Sequence, residues 1–176
     1  MARWVQEHRP DLVWLCPQLP ASPREAMQLL HTAVAEWPTE SMAVIGSSLG
    51  GFYATVLAEE LGCPAVLLNP AIDPASDLAA HIGEHAQWHD PTEHFFFAPE
   101  FVDELRTLQI ASHPQELTMP QRYFAIIAKG DEVLDWREML LRYQQCQVLL
   151  LEGSDHGLSD FDQHVPRIIN FLQLKP

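Results

Sequence analysis

Apolar residues along this chain fall into two patterns that alternate: short unbroken runs, and longer stretches with helical spacing. The runs at residues 11–17, 43–45, 64–68, 122–128 and 147–151 have the length and composition of buried strands, several of them stopped by Pro or Asn-Pro. Between them lie helical stretches. Residues 2–8 read as the end of a helix. Ser22-Pro23-Arg24-Glu25 is a capping box with proline at the first helical position, followed by an apolar stripe of Ala26, Met27, Leu29, Leu30, Ala33, Val34 and Trp37 that Pro38 ends. A further helix runs through Tyr53, Ala54, Val56, Leu57 and Ala58 to a C-terminal cap at Gly62. Helices are also expected at 135–143 and 161–172. The last carries Val165, Ile168, Ile169 and Leu172 on one face, and Pro166 should kink it or delay its start.

Strands that alternate with helices predict an α/β fold, a mostly parallel sheet with helices on both faces. One domain spanning residues 1–176 accounts for the whole pattern. From 71 to 119 the pattern loosens, with prolines at 74, 91, 99 and 114, another just beyond at 120, and no convincing strand. Two short helices, at 75–83 and 99–108, should flank the run His94-Phe95-Phe96-Phe97. Such an insertion has the position and composition of a small helical lid. Its aromatic residues fit two roles equally, the lining of an acyl pocket or the lid's own core.

Composition narrows the class. With 176 residues, 47% hydrophobic and 19% charged, the chain can build a globular core. No apolar run approaches the ~20 residues that span a bilayer, and Glu7, His8, Arg9 and Pro10 close off any secretory signal, so a cytoplasmic location is expected. A net charge of −14 argues against nucleic acid and anionic membranes as partners. Cys16, Cys63 and Cys146 are odd in number and mostly set among apolar residues, which predicts reduced core thiols.

The chemistry centres on Gly46-Ser47-Ser48-Leu49-Gly50, a Gly-x-Ser-x-Gly turn between a strand and a helix. That is the layout of a nucleophile elbow, which strains the middle residue and exposes its hydroxyl. A serine hydroxyl needs a base within hydrogen-bond reach, and the base needs a carboxylate to orient it. Asp131 follows a later strand and His156, in Gly153-Ser154-Asp155-His156-Gly157, follows the next, which gives the Ser, Asp, His order of α/β-hydrolases. The alternative for Asp131 is a turn or cap aspartate. Asp135 is better explained as the N-cap of the following helix, and Glu132 is a weaker candidate acid. The N–H of Leu49, the residue after the nucleophile, is the expected oxyanion donor.

His81, His85 and His89 recur every four residues, which on a helix would stack them near Glu84, Asp90, Glu93 and His94. Histidines at i and i+4 can chelate zinc. Gly83 weakens that helix, however, and no Glu follows the first His, so a solvated polar face and no metal are expected.

The chain resembles the YqiA-like family of small bacterial α/β-hydrolase-fold esterases. The resemblance rests on Pro17-Gln18-Leu19-Pro20, Gly46 to Thr55, Asn69-Pro70-Ala71, Gly130-Asp131-Glu132-Val133-Leu134-Asp135 and Glu152-Gly153-Ser154-Asp155-His156. It implies hydrolysis of carboxylic esters or acyl thioesters, with Ser48 as nucleophile, His156 as base and Asp131 as orienting acid, and no cofactor. One departure stands out: such proteins open with a strand ending in a His-Gly-Phe-like loop that donates the second oxyanion N–H. This chain begins at Met1 in what reads as the helix after it. The expectation is a start placed too far downstream or, failing that, a natural truncation that exposes a strand edge, impairs catalysis and favours a homodimer. A non-catalytic binding or scaffold protein on the same fold is the alternative function.

Overall fold

The computed structural model describes residues 1–86, 94–112 and 116–174. Four strands, β1 (Val44–Ser47), β2 (Ala65–Leu68), β5 (Tyr123–Ala128) and β6 (Gln147–Leu151), form one sheet in the order β1-β2-β5-β6, every pair parallel. Their register aligns Ser47 with Leu68, Leu68 with Ile126 and Ala128 with Leu151, so the loops after all four strands open at one end of the sheet.

Alternation along the strands sorts their side chains between two apolar clusters. Ala65, Leu67, Tyr123, Ala125 and Ile127 pack on one face with Ala54 and Ala58 of α3 (Leu49–Leu61) and Met139 of α6 (Trp136–Arg142). Val66, Phe124, Ile126 and Ala128 pack on the other face with Ile168 of α7 (Val165–Phe171). All six residues of β5 are buried, which explains why it reads as a continuous apolar run. Each large side chain sealed here contributes about 1.5–3 kcal/mol. Helix α3 is buried without a break from Gly51 to Ala58, consistent with its apolar character all round.

The remaining helices are α1 (Ala2–His8), α2 (Pro23–Val34), α4 (Pro74–Leu78) and α5 (Pro99–Ser112). Ser22 caps α2 by accepting from the Glu25 N–H, with Pro23 in the first turn. Gly62 ends α3 in the left-handed conformation at φ 75°. Pro166 lies in the first turn of α7, and the chain before it forms only a 3-10 turn, Phe161–Gln163, so the proline delays the helix rather than kinking it.

Several expectations are corrected. Residues 11–17 form no strand; Val13 is 75% exposed, Trp14 40% and Leu15 44%. A strand needs a neighbour, and among the described residues β1 pairs only with β2. Cys16 shares this exposure and is no core thiol, whereas Cys63 is buried and Cys146 half-buried.

The stretch between β2 and β5 does contain strands: β3 (Gly83–Ala86) and β4 (His94–Phe97) pair antiparallel as a separate ribbon. They are short, and β3 is too polar to betray a strand period. The helix expected at 75–83 therefore stops early, as α4 and a 3-10 turn, Ala79–His81. His81 and His85 consequently share no helix face, and His89 lies outside the described residues.

Helix α5 runs longer than expected and packs against α2, α3 and α4 through Val102 and Leu105. Its Glu104 accepts from Ser22 Oγ at 2.7 Å and from the Arg24 N–H at 3.1 Å, and pairs with the Arg24 guanidinium at 2.7 Å. Phe97 is buried edge-to-face against Phe101 in that core, while Phe96 is 59% exposed.

Candidate active site

Three of the loops at the open end of the sheet carry Ser48, Asp131 and His156. Ser48 follows β1 directly and sits at φ 53°, ψ −124°, a conformation that L-residues adopt only under constraint. The constraint is visible in its backbone. Its N–H donates to Leu68 O at 3.0 Å, and its carbonyl accepts from Gly51 at 2.8 Å and Ala71 at 3.0 Å. Gly46 makes the tight turn feasible, since a Cβ there would lie 2.1 Å from Gly50 O. Gly50 is under no such demand: a Cβ built on it meets nothing within 4 Å.

His156 Nε2 lies 2.9 Å from Ser48 Oγ. Its Nδ1 lies 2.9 Å from Asp131 Oδ2 and 3.0 Å from Oδ1. A carboxylate only accepts, so Nδ1 carries the proton and Nε2 is left with the lone pair that faces the serine hydroxyl. The Asp131 carboxylate is 0% exposed and the imidazole 20%, so the pair is largely shielded from water, and Ser48 is half-buried.

Asp131 bonds His156 and caps a turn at once. Its Oδ1 also accepts from the N–H groups of Val133 and Leu134, each at 2.8 Å, so the turn that it caps fixes the carboxylate. Gly130 lets this loop lie against the histidine loop, because a Cβ there would sit 2.1 Å from Ser154 O.

Asp135 caps α6 by accepting from the Arg137 N–H at 2.9 Å. The Glu132 carboxylate accepts from the backbone N–H of His156 at 3.0 Å. Sequence reasoning missed Asn69, which is fully buried after β2 and bonds the histidine loop. Its signs in the sequence are a polar residue closing an apolar strand and its place in Asn69-Pro70-Ala71, neither of which gives it a role.

Leu49 is the first residue of α3, and its N–H has no partner among the described residues. An unbonded donor at a helix N-terminus beside a nucleophile is suited to a developing negative charge. Further support for the histidine loop comes from Ser154 Oγ, which donates to Asp160, and from Asp160, which pairs with His164 at 3.1 Å. The bond from Ser154, ahead of the pairing with His164, holds the Asp160 carboxyl below its ordinary range.

The parallel sheet, the strained turn between β1 and α3 and the chain order of these three residues define an α/β-hydrolase fold. Solved structures agree. The chain superimposes with a TM-score of 0.66 on a putative hydrolase from Agrobacterium vitis S4, at 19% identity over 86% of this chain and 69% of the other. Ferulic acid-bound Est1E from Butyrivibrio proteoclasticus gives 0.64 at 15% identity, covering 87% of this chain and 68% of its own. A structure from the metagenome-derived lipolytic enzymes LipS and LipT gives 0.60 at 16%, covering 88% and 74%. Residues 1–173 match the model of the uncharacterised protein family UPF0227, and the chain belongs to that family.

Among the described residues no helix is long and apolar enough to cross a membrane, and no group of three or more His, Cys, Asp or Glu side chains is placed to hold a metal ion.

Proposed function

We propose that this protein is a serine hydrolase that cleaves carboxylic esters or acyl thioesters through an acyl-enzyme. The observation that carries the reading is the unbroken line from Asp131 through His156 to Ser48, closed at 2.9 Å on both sides of the imidazole. His156 Nε2 takes the proton of Ser48 Oγ as that oxygen bonds to the acyl carbon, and the Leu49 N–H meets the oxyanion. The imidazolium, held by Asp131, then protonates the leaving alcohol or thiol. Water, deprotonated by the same nitrogen, attacks the acyl-enzyme; the acid leaves and Ser48 regains its proton. The scheme draws on no cofactor. That Est1E binds ferulic acid and that LipS and LipT are lipolytic supports an acyl substrate by analogy of fold.

A scaffold role on the same fold is the second reading, weighed because the Leu49 N–H is the oxyanion donor identified beside Ser48 and β1 pairs only with β2 among the described residues. Treatment with a serine-reactive fluorophosphonate, read by intact mass, separates the two. A single adduct that is absent from Ser48→Ala and His156→Ala supports the hydrolase, and no adduct on folded protein supports the scaffold.

A further inference from the structure

The turn after β2 touches every element that carries one of the three residues. Its backbone already bonds Ser48 on both sides, through Leu68 O and the Ala71 N–H. Asn69, 0% exposed and at φ 41°, spends its side-chain amide on the other two loops. Nδ2 donates to the carbonyls of Asp155 and His156, each at 3.0 Å, and Oδ1 accepts from the Ala128 N–H at the end of β5, at 2.8 Å. Two carbonyls demand donors and one N–H demands an acceptor, so only one orientation of the amide satisfies the site.

The other end of the same residue is held from a different loop. Glu132 Oε2 accepts the His156 N–H at 3.0 Å, while Asn69 takes the His156 carbonyl. Both ends of the His156 backbone are therefore bonded to side chains of other loops, one beside Asp131 and one beside the turn that fixes Ser48. The loop needs such anchors. It is built of Gly153, Ser154, Asp155 and Gly157, with positive φ at Ser154 (68°) and Leu158 (50°), and of these residues and His156 itself, together with Leu158, only Leu158 is buried in an apolar cluster.

We infer that Asn69 and Glu132 are positioning residues that grip the His156 backbone from opposite ends and keep its imidazole in register with Ser48 and Asp131 at once. Neither touches a reacting atom. The inference rests on the hydrolase reading for its catalytic consequence but not for its structural one. A misplacement of about 1 Å in such a constellation costs on the order of 10²-fold in rate.

The test compares Glu132→Ala, Glu132→Gln, Asn69→Gly and Asn69→Asp in the full chain. Glu132 is exposed, so its variants should fold; glycine tolerates the φ of Asn69, and aspartate keeps the acceptor for Ala128 while turning an oxygen towards the two carbonyls. The rate of inactivation by a fluorophosphonate should fall about tenfold in Glu132→Ala and recover in Glu132→Gln, which retains an acceptor, and should fall about 10²-fold in both Asn69 variants. For a chromogenic ester the loss should appear in kcat, with KM little changed. Recovery in Glu132→Gln is the signature of the hydrogen bond. A Glu132→Gln no faster than Glu132→Ala, or a folded Asn69→Gly as fast as the unsubstituted protein, overturns the inference.

If the unsubstituted protein does not react at all, the hydrolase reading falls and the inference is read from the NMR resonance of the His156 Nδ1 proton bonded to Asp131. That resonance should be present in the unsubstituted protein and lost in Glu132→Ala and Asn69→Gly. Its persistence in both variants overturns the inference independently of activity.

Discussion

Ser48 Oγ and His156 Nε2 stand 2.9 Å apart although 108 positions of sequence separate them. The proximity follows from topology. Ser48 leaves β1 and His156 the loop after β6, the two outer strands of the sheet, and the two residues meet over the ends of β2 and β5. Loops of parallel strands emerge at the same end, so a sheet four strands wide can close a three-residue relay above itself.

Asp131→Asn should separate orientation from folding. Asparagine keeps the side chain's shape and, through Oδ1, the bonds from Val133 and Leu134, but its amide would present a donor to Nδ1 and favour the wrong tautomer. Turnover of an ester should fall about 10⁴-fold with the melting temperature nearly unchanged. Steady-state kinetics and thermal circular dichroism check both; a loss below about tenfold would assign the orienting acid elsewhere.

The two glycines flanking Ser48 should behave oppositely. Alanine at Gly46 must displace the Gly50 carbonyl and the Ala54 side chain, at 2.1 and 2.7 Å from its Cβ, and should destabilise the fold by about 3 kcal/mol or more. Alanine at Gly50, inside α3 and facing open space, should raise stability by about 0.5–1 kcal/mol. Urea unfolding of the two variants measures both signs, and equal destabilisation would contradict the turn geometry.

Glu59 should make stability sensitive to acid. Burial pushes its carboxyl up, but hydrogen bonds from Thr118 and Tyr123 and the charge of Arg142 outweigh this, and the folded pKa lies below the ordinary 4.5. A depressed folded pKa stabilises the native state above the unfolded value, and the gain is lost as pH falls from about 4.5 through the folded value. Melting temperatures measured across that window should fall more steeply for the unsubstituted protein than for Glu59→Gln. Parallel curves would place the acid sensitivity on other carboxylates.

The strands buried on both faces were legible because burial on both sides leaves no polar alternation to confuse the pattern. The meeting of Ser48, Asp131 and His156 was legible with them, since each lies within a few residues of the end of an apolar run. Residues 11–17 show the converse. Their composition asks for a strand, but pairing is a property of the neighbour and not of the segment. β3 was hidden by its own residues, Gly-Glu-His-Ala, whose partner strand begins only at His94. Asn69 was hidden differently. A polar residue after an apolar run looks like any strand stop, and its meaning arises only when three distant loops converge on its amide.

The sheet order also ranks the strands by how readily they come undone. β5 is flanked on both sides, and its amides should be among the last to exchange with solvent. Among the described residues β1 bonds β2 alone: the N–H groups of Val44 and Ser48 turn to that neighbour, and those of Ile45 and Ser47, which alternate with them, turn away from it. Ser48 thus rides on a margin of this four-stranded order while Asp131 hangs from its interior. Under mild denaturant the elbow should loosen while the remainder of the sheet still holds, so the reactivity of Ser48 would fade before the far-ultraviolet signal of the fold does.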